Sequence, residues 1–425
     1  MRDIFVTSVV AVCLPFILRQ PYIGILVWSW LGYMNPHKLA WGFATTLPFA
    51  QMVAIATLIG LLINKEPRKF PKNGLVTVLF LYSFWVLVTT IDAQYSKFAW
   101  LQLEKVYKIL FMTFLTLYLI NSRKRVELLV AVMALSIGFY GIKGGIFTVL
   151  TGGGFRIMGP PNTFIGGNNE IGLALIMIVP LFRYFQLTST RSSIRLGSGI
   201  AMILCTISIF GTQSRGALLG LVAMALMLIM MSRKRFVLLL GFAVMMPLIL
   251  MFMPDSWHDR MESIAHYEQD ASAQGRLTAW RYAYQIAVDN PLTGGGFEIF
   301  TGRTDAHSIY FEILGEHGFI GLALFLTLLV GAWISAGSIA RDRSVKWRSD
   351  LMSMVRVSLV GYAVSGAFLG LAYFDLFYHL IAIVIVTKAI SCETITTEAD
   401  NGSGKSVVQK EGLTISNGKR FQNGQ

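Results

Sequence analysis

Three side chains in this chain are of types that could together grip a phosphate and remove a proton: Arg215, Arg276 and His307. A guanidinium presents a rigid fork of donors that matches phosphate oxygens two at a time. An imidazole, with an unperturbed pKa of about 6.5, is the side chain best suited to take a hydroxyl proton near neutral pH. Arg215 falls in a very short polar turn, Thr212-Gln213-Ser214-Arg215-Gly216, between two apolar runs. A guanidinium there has little room to reach water and needs an anionic partner, because an unpaired buried charge is costly. Blander readings exist for each. An Arg at a helix end commonly snorkels to lipid headgroups, and a His at a helix start is often only a hydrogen-bonding residue, as any of His37, His258, His266, His317 and His379 could be.

The elements that must position these residues are almost all apolar. The chain of 425 residues is 54% hydrophobic and only 14% charged, with a mean hydropathy of +0.60. A soluble protein of this length carries nearer a quarter charged residues. Apolar runs recur from Ile4 to Ile390, and many approach the ~20 residues a helix needs to cross a bilayer. The net charge of +13 does not point to nucleic acid, since the basic residues sit in the gaps between apolar runs and not on a soluble domain. Cys13, Cys205 and Cys392 are odd in number and scattered, so no disulfide framework or metal set follows. Met1 to Leu18 reads as a retained first helix; Arg2-Asp3 is a poor signal-peptide start and no small-residue cleavage site follows.

Gap charge sets the expected topology. The gaps holding Lys65 to Lys72, Arg123 to Arg125, Arg183 to Arg195, Arg233 to Arg235 and Arg341 to Arg348 each carry three or four basic residues, and all fall on one side if the spans alternate. The positive-inside rule makes that side cytoplasmic. Counting 4–34 as a single crossing broken at Gln20-Pro21 preserves the pattern, which predicts an all-α polytopic membrane protein of about twelve transmembrane helices with both ends cytoplasmic. The expected organisation is an N-terminal transmembrane bundle over 1–253, a periplasmic segment of short helices over 254–316, C-terminal transmembrane helices over 317–391, and a disordered cytoplasmic tail over 392–425. The opposite face receives the Arg215 turn, the loop 151–170 and the long segment 254–316. ATP is unavailable there, and no Walker-type loop or dinucleotide fingerprint occurs, so chemistry on that face must use an already activated substrate.

Within the long segment, Ser272 to Asn290 reads as a helix opened by Gly275-Arg276. Arg276 would then lie in its first turn, where free N–H groups and the dipole favour phosphate. Gly294-Gly295-Gly296 predicts a flexible turn. A second helix restarts at Asp305-Ala306-His307 with Asp305 as N-cap, putting His307, Tyr310 and Leu314 on one face and Glu312 and Glu316 on a neighbouring one. Arg156 and Arg303 lie in polar loops, where they could touch phosphate or sugar or simply be solvated. Glu312 and Glu316 could meet arginines, accept sugar hydroxyls or cap the helix. No His and carboxylate set has metal-ligand spacing, and arginines can stand in for a metal as charge stabilisers.

In order along the chain, these residues resemble the bacterial O-antigen ligase/polymerase superfamily. The matching pieces are Ser214-Arg215-Gly216, Gly275-Arg276 with Trp280, Pro291-Leu292-x-Gly294-x-Gly296, and His307-x-x-Tyr310-x-x-x-Leu314-x-Glu316-x-Gly318-x-x-Gly321, with Gly167-Asn168-Asn169-Glu170 similar to an earlier loop of that group. Ser308 departs from the Asn that many members carry after the His. The N-terminal third is also similar to exosortase-associated O-glycosylation ligases.

The resemblance implies a polytopic inverting glycosyltransferase of the inner membrane with its active site facing the periplasm, using neither metal nor cofactor. It would move a preassembled glycan from undecaprenyl pyrophosphate to a hydroxyl of lipid A-core. His307 would be the base, with Arg215, Arg276, Arg156, Arg303, Tyr310 and Glu316 as substrate-binding residues. Transfer to protein Ser/Thr and polymerisation of repeat units are the nearest alternatives. A lipid-linked glycan flippase is a non-enzymatic one, although it would be expected to carry more charge along a path through several spans.

Overall fold

The computed structural model describes residues 1–66, 69–232, 234–251, 253–255, 257 and 271–390, and every regular element among them is helical. Arg68, Arg233, His258, His266, Cys392 and the tail 392–425 lie outside the described residues. The helices are α1 Arg2–Arg19, α2 Tyr22–Met34, α3 Phe49–Ile63, α4 Gly74–Ile91, α5 Ser96–Leu119, α6 Arg123–Leu150, α7 Asn168–Thr188, α8 Ser192–Gly211, α9 Arg215–Met230 and α10 Arg235–Met251. After the partly described 252–270 stretch come α11 Ala271–Asp289, α12 Ile309–Arg341, α13 Lys346–Gly366 and α14 over 375–390.

The chain is a membrane protein by the composition of both faces of its helices. α4, α6, α7, α8 and α12 are each long and apolar enough to span a bilayer. Large apolar side chains also cover the outside of the bundle, among them Phe5, Phe16, Phe84, Leu196 and Ile203. A helix apolar all round is stable only where its outer face meets other protein or lipid. Inside, α6 and α8 approach closely: a Cβ on Gly145 would lie 2.1 Å from the Leu204 carbonyl oxygen. Small residues at such a seam allow the backbone contact that packing in lipid depends on.

The gaps between helices sort onto two faces. On one, Arg125 pairs with Glu66 at 2.8 Å and lies over the Tyr22 ring, Tyr184 donates to Glu127, and Arg123 lies over Trp347. The gaps after α3, α5, α7 and α12 therefore share one basic face, as their charge predicts, and the gap after α1 lies on it too. On the other face lie the ends of α4, α6, α8 and α13 and the start of α12.

The first thirty-four residues depart from expectation. Gln20-Pro21 is a reversal and not a kink in one crossing. The Asp3 carboxylate accepts from the N–H groups of Gly42 and Ala44, at 2.9 and 3.0 Å, and Asn64 donates to the Arg19 carbonyl. A single broken helix would hold Asp3 and Gly42 a membrane thickness apart. α1 and α2 instead form an antiparallel hairpin, so the N-terminus lies on the face opposite the basic gaps. The parity count that put both ends on the basic side is corrected by one helix.

Two further corrections concern the later segment. Gly294-Gly295-Gly296 is buried and fixed, not flexible: Gly295 and Gly296 donate to the carbonyls of Gly315 and Glu316, each at 2.9 Å, and Gln94 donates to Gly295. α12 breaks at Gly318, whose φ of +68° only glycine adopts without strain. A Cβ there would sit 2.3 Å from the Leu292 carbonyl, and the next residue, Phe319, donates to Pro291. The Pro291-to-Gly296 and Gly315-to-Gly318 pieces of sequence thus pack directly on each other.

Candidate functional site

His307 sits just before α12, on an unusual backbone. Its φ is +44°, in the left-handed region that costs a residue with a Cβ on the order of 1–3 kcal/mol. Ser308, not Asp305, is the N-cap of α12, and Asp305 is exposed in the loop ahead of it. His307 therefore does not ride on the helical face of Tyr310 and Leu314. Two other non-glycine residues with positive φ flank the same region, Gln213 at +53° and Glu298 at +64°. Strain of this kind persists only where surrounding contacts fix it.

Those contacts come from α11. Trp280 donates its indole N–H to the Ala306 carbonyl at 2.6 Å, while its ring stacks on Phe311 with centroids 5.0 Å apart. The residue before His307 is thereby tied to the helix that carries Arg276, one turn before Trp280. Arg276 is the sixth residue of α11 as described, which begins at Ala271. It does not occupy the first turn, so free helix N–H groups add nothing to its charge. The side chain acts directly: burial lowers the His307 pKa below the ordinary 6.5, the Arg276 charge lowers it further, and Asp305 and Glu170 oppose both. At neutral pH the ring is a free base.

Glu170 reaches this site from the start of α7, where three segments are knitted together. Asn168 donates its amide to the Thr212 carbonyl at 2.9 Å, Gln213 donates to Gly153 at 3.1 Å, and the Ile157 N–H bonds Gly211. The turn so held presents Arg215 as the first residue of α9, with Ser214 as N-cap accepting from Ala217. Next to Arg215, a Cβ on Gly216 would touch the Phe368 Cβ at 3.1 Å, and the Phe368 ring lies 6.5 Å from that of Trp280. Arg215, Arg276, His307 and Glu170 therefore belong to one face, with Phe368 and Trp280 packed between the Arg215 turn and the other helix.

The remaining expected residues divide. Arg156 is exposed on the loop pinned beside the Arg215 turn. Arg303 lies over the Tyr282 ring, 4.3 Å from its centroid, a cation–π contact on the surface of α11. Tyr310 donates its hydroxyl to Ala363 at 2.8 Å and so holds α12 against α13. Glu316 is 5% exposed, and both its oxygens are engaged, accepting from the Glu298 N–H at 2.8 Å and the Tyr373 hydroxyl at 2.5 Å. Tyr310 and Glu316 thus serve to frame the site. His317, one of the histidines set aside in sequence, is fully buried between the Thr89 and Tyr373 hydroxyls.

A polar cavity of about 190 Å³ opens beside His307, with Gln102, Glu298, Asp305, Glu312 and Gly370 in its wall. Gln102, Glu298 and Gly370 carried no signal in the sequence: they come from α5, a tight turn and the α13–α14 connection, and only tertiary packing joins them. Among the described residues no three His, Cys, Asp or Glu side chains converge as metal ligands.

Residues 200–326, which contain Arg215, Arg276 and His307, match the model of a family described as O-antigen ligase, and residues 1–190 match a family of unknown function, DUF5935. The first matched region ends in the gap between α7 and α8, and the second begins within α8. No curated protein matches the chain.

Proposed function

The match over residues 200–326 makes the chain a member of the O-antigen ligase superfamily, and on that premise we propose that it is an inverting, metal-independent glycosyltransferase. It moves a preassembled glycan from undecaprenyl pyrophosphate to a sugar hydroxyl of lipid A-core. The observation that carries this reading is a strained, neutral imidazole held within electrostatic reach of a guanidinium on the face that also presents Arg215.

Each residue has a chemical task. Arg215 and Arg276 hold the diphosphate and stabilise the charge that grows on it as the glycosidic C–O bond breaks. His307 accepts the acceptor's hydroxyl proton as that oxygen attacks the anomeric carbon from the side opposite the leaving group, which inverts the centre. Undecaprenyl pyrophosphate leaves with the bonding pair, and no acid is needed because the leaving group is already ionised. Asp305 and Glu170 stabilise the imidazolium so formed. Arg156, beside the Arg215 turn, is a further phosphate contact, and Arg303 borders the mouth.

In this reading the basic face is cytoplasmic and the site face periplasmic, following the positive-inside rule. Thirteen helices, all but α11, cross the membrane, with the N-terminus outside. Deleting the gene and analysing surface glycans, with rescue by wild type or by His307→Ala, tests the assignment. Loss of capped lipopolysaccharide that only wild type restores is the expected result. Loss of protein glycosylation or of chain length instead would name a different acceptor, and rescue by His307→Ala would remove the proposed base.

A further inference from the structure

The cavity beside His307 has a chemical character opposite to that of the arginines. Four carboxylates line it, from Glu298, Asp305, Glu312 and Glu316, and no lysine or arginine does. Carboxyl groups offer acceptor oxygens in either protonation state, so the wall favours a ligand that brings donors. A phosphate or uronate placed there would find no cation in the wall to pair with its charge. Its volume of about 190 Å³ is many times the ~10–15 Å³ that a single water requires, which is room for one sugar ring.

We propose that this cavity is the acceptor subsite, taking one neutral or amino-bearing sugar ring whose hydroxyl and ammonium groups donate to Glu298, Asp305 and Glu312. The assignment rests on the transferase reading above and adds the acceptor's chemistry to it. Because His307 and Ala306 form part of the same wall, a hydroxyl of that ring lies against the base, while the arginines take the donor's diphosphate. The donor's diphosphate and the acceptor ring are thus assigned to different walls, one bearing arginines and one without a cation. Glu316, its oxygens already engaged, fixes the wall by holding the Glu298 N–H. Burial raises the Glu298 pKa, which Lys105 opposes and Asp305 reinforces, a balance that an ammonium or hydroxyl donor would relieve.

Two substitutions alter the cavity with little demand on the fold. A methyl on Gly370 would stand 3.4 Å from the Glu312 Oε2 and 3.9 Å from the His307 Cα, filling space without a clash. Glu312→Gln keeps an oxygen able to accept from the Ala372 N–H, which Oε2 does at 3.3 Å, while replacing the carboxyl group by an amide. In a reconstituted transfer assay both variants are expected to raise the acceptor KM roughly tenfold, the loss of about one good polar contact, and to leave the donor KM within about twofold on the same scale. Saturation-transfer NMR on the purified full chain, with methyl glucosaminide and glucose 6-phosphate as probes, gives a readout without turnover. The glucosaminide should bind wild type, lose its signal in Gly370→Ala, and be favoured over the phosphorylated sugar.

An unmoved acceptor KM, a shifted donor KM, no glucosaminide binding, or equal binding of the phosphorylated sugar would each overturn the assignment. Intact transfer with unmoved acceptor kinetics sinks the cavity alone. Selective glucosaminide binding by a chain that transfers no glycan sinks the transferase reading and leaves a sugar site.

Discussion

Replacing His307 by glycine and by alanine should separate backbone strain from chemistry. Both variants delete the imidazole, and both should lose on the order of 10²–10⁴ in transfer rate, the usual worth of a general base. Their stabilities should differ in an unusual direction. At ordinary positions alanine is more stable than glycine by about 0.4–1 kcal/mol, because glycine leaves the unfolded chain more freedom. At a φ of +44° the alanine Cβ meets the left-handed penalty of about 1–2 kcal/mol, which glycine escapes. The net expectation is that His307→Gly is more stable than His307→Ala by up to about 1.5 kcal/mol. Ser308, with φ of −156°, supplies the control one residue away: there alanine should exceed glycine in the usual order. Equilibrium unfolding of the full chain in mixed detergent, followed by tryptophan fluorescence, measures all four. If alanine matched or exceeded glycine at position 307, the strained placement of the base would be wrong, and with it the claim that Trp280 and Ala306 hold the ring in position.

Three further outcomes follow from the same geometry. Arg215→Lys and Arg276→Lys keep the charge and lose the fork, so each should lower kcat/KM at least tenfold, about 1.4 kcal/mol of transition-state binding; full activity in both would refute bidentate phosphate contact. Because burial and Arg276 hold the His307 pKa below 6.5, transfer should rise with pH through an inflection below that value and stay flat to neutrality, and an inflection above 6.5 would contradict the site's electrostatics. The linked stability has a definite sign: the unfolded chain takes up the proton first, so the contribution of neutral His307 is complete above about 6.5 and declines as pH falls toward the folded value. Since α1 and α2 form a hairpin, a cysteine placed at Trp41, which is 90% exposed, should react with an impermeant thiol reagent from the same side as one at exposed Arg303; labelling from opposite sides would restore a single first crossing.

Much of the fold was legible because lipid imposes a simple rule on sequence. Apolar run length gave α4 to α10, and gap charge gave the shared basic face, later seen in the Glu66–Arg125 and Arg123–Trp347 contacts. The hairpin at Gln20-Pro21 is not legible because proline marks both a kink and a turn, and the contacts that decide between them come from Asp3 and Gly42, far apart in sequence. The two arginines and the histidine proposed for the site could be chosen from residue type and order. Their support could not. That Gly296 is locked to Glu316, that Tyr310 is committed to Ala363, and that Gln102 and Gly370 share a wall with His307 are facts of tertiary packing with no local signature. Gly275 resembles a helix opener and so predicts Arg276 in a first turn, whereas α11 is already formed at Ala271.

The most direct measurement is single-turnover transfer by the purified full chain in liposomes, supplied with undecaprenyl-pyrophosphate-linked glycan and a lipid A-core acceptor. Wild type should release undecaprenyl pyrophosphate in step with glycosylated acceptor of inverted configuration, and His307→Ala should bind the donor but release almost none. Transbilayer movement of the intact donor without bond cleavage, or undiminished release by His307→Ala, would contradict the account.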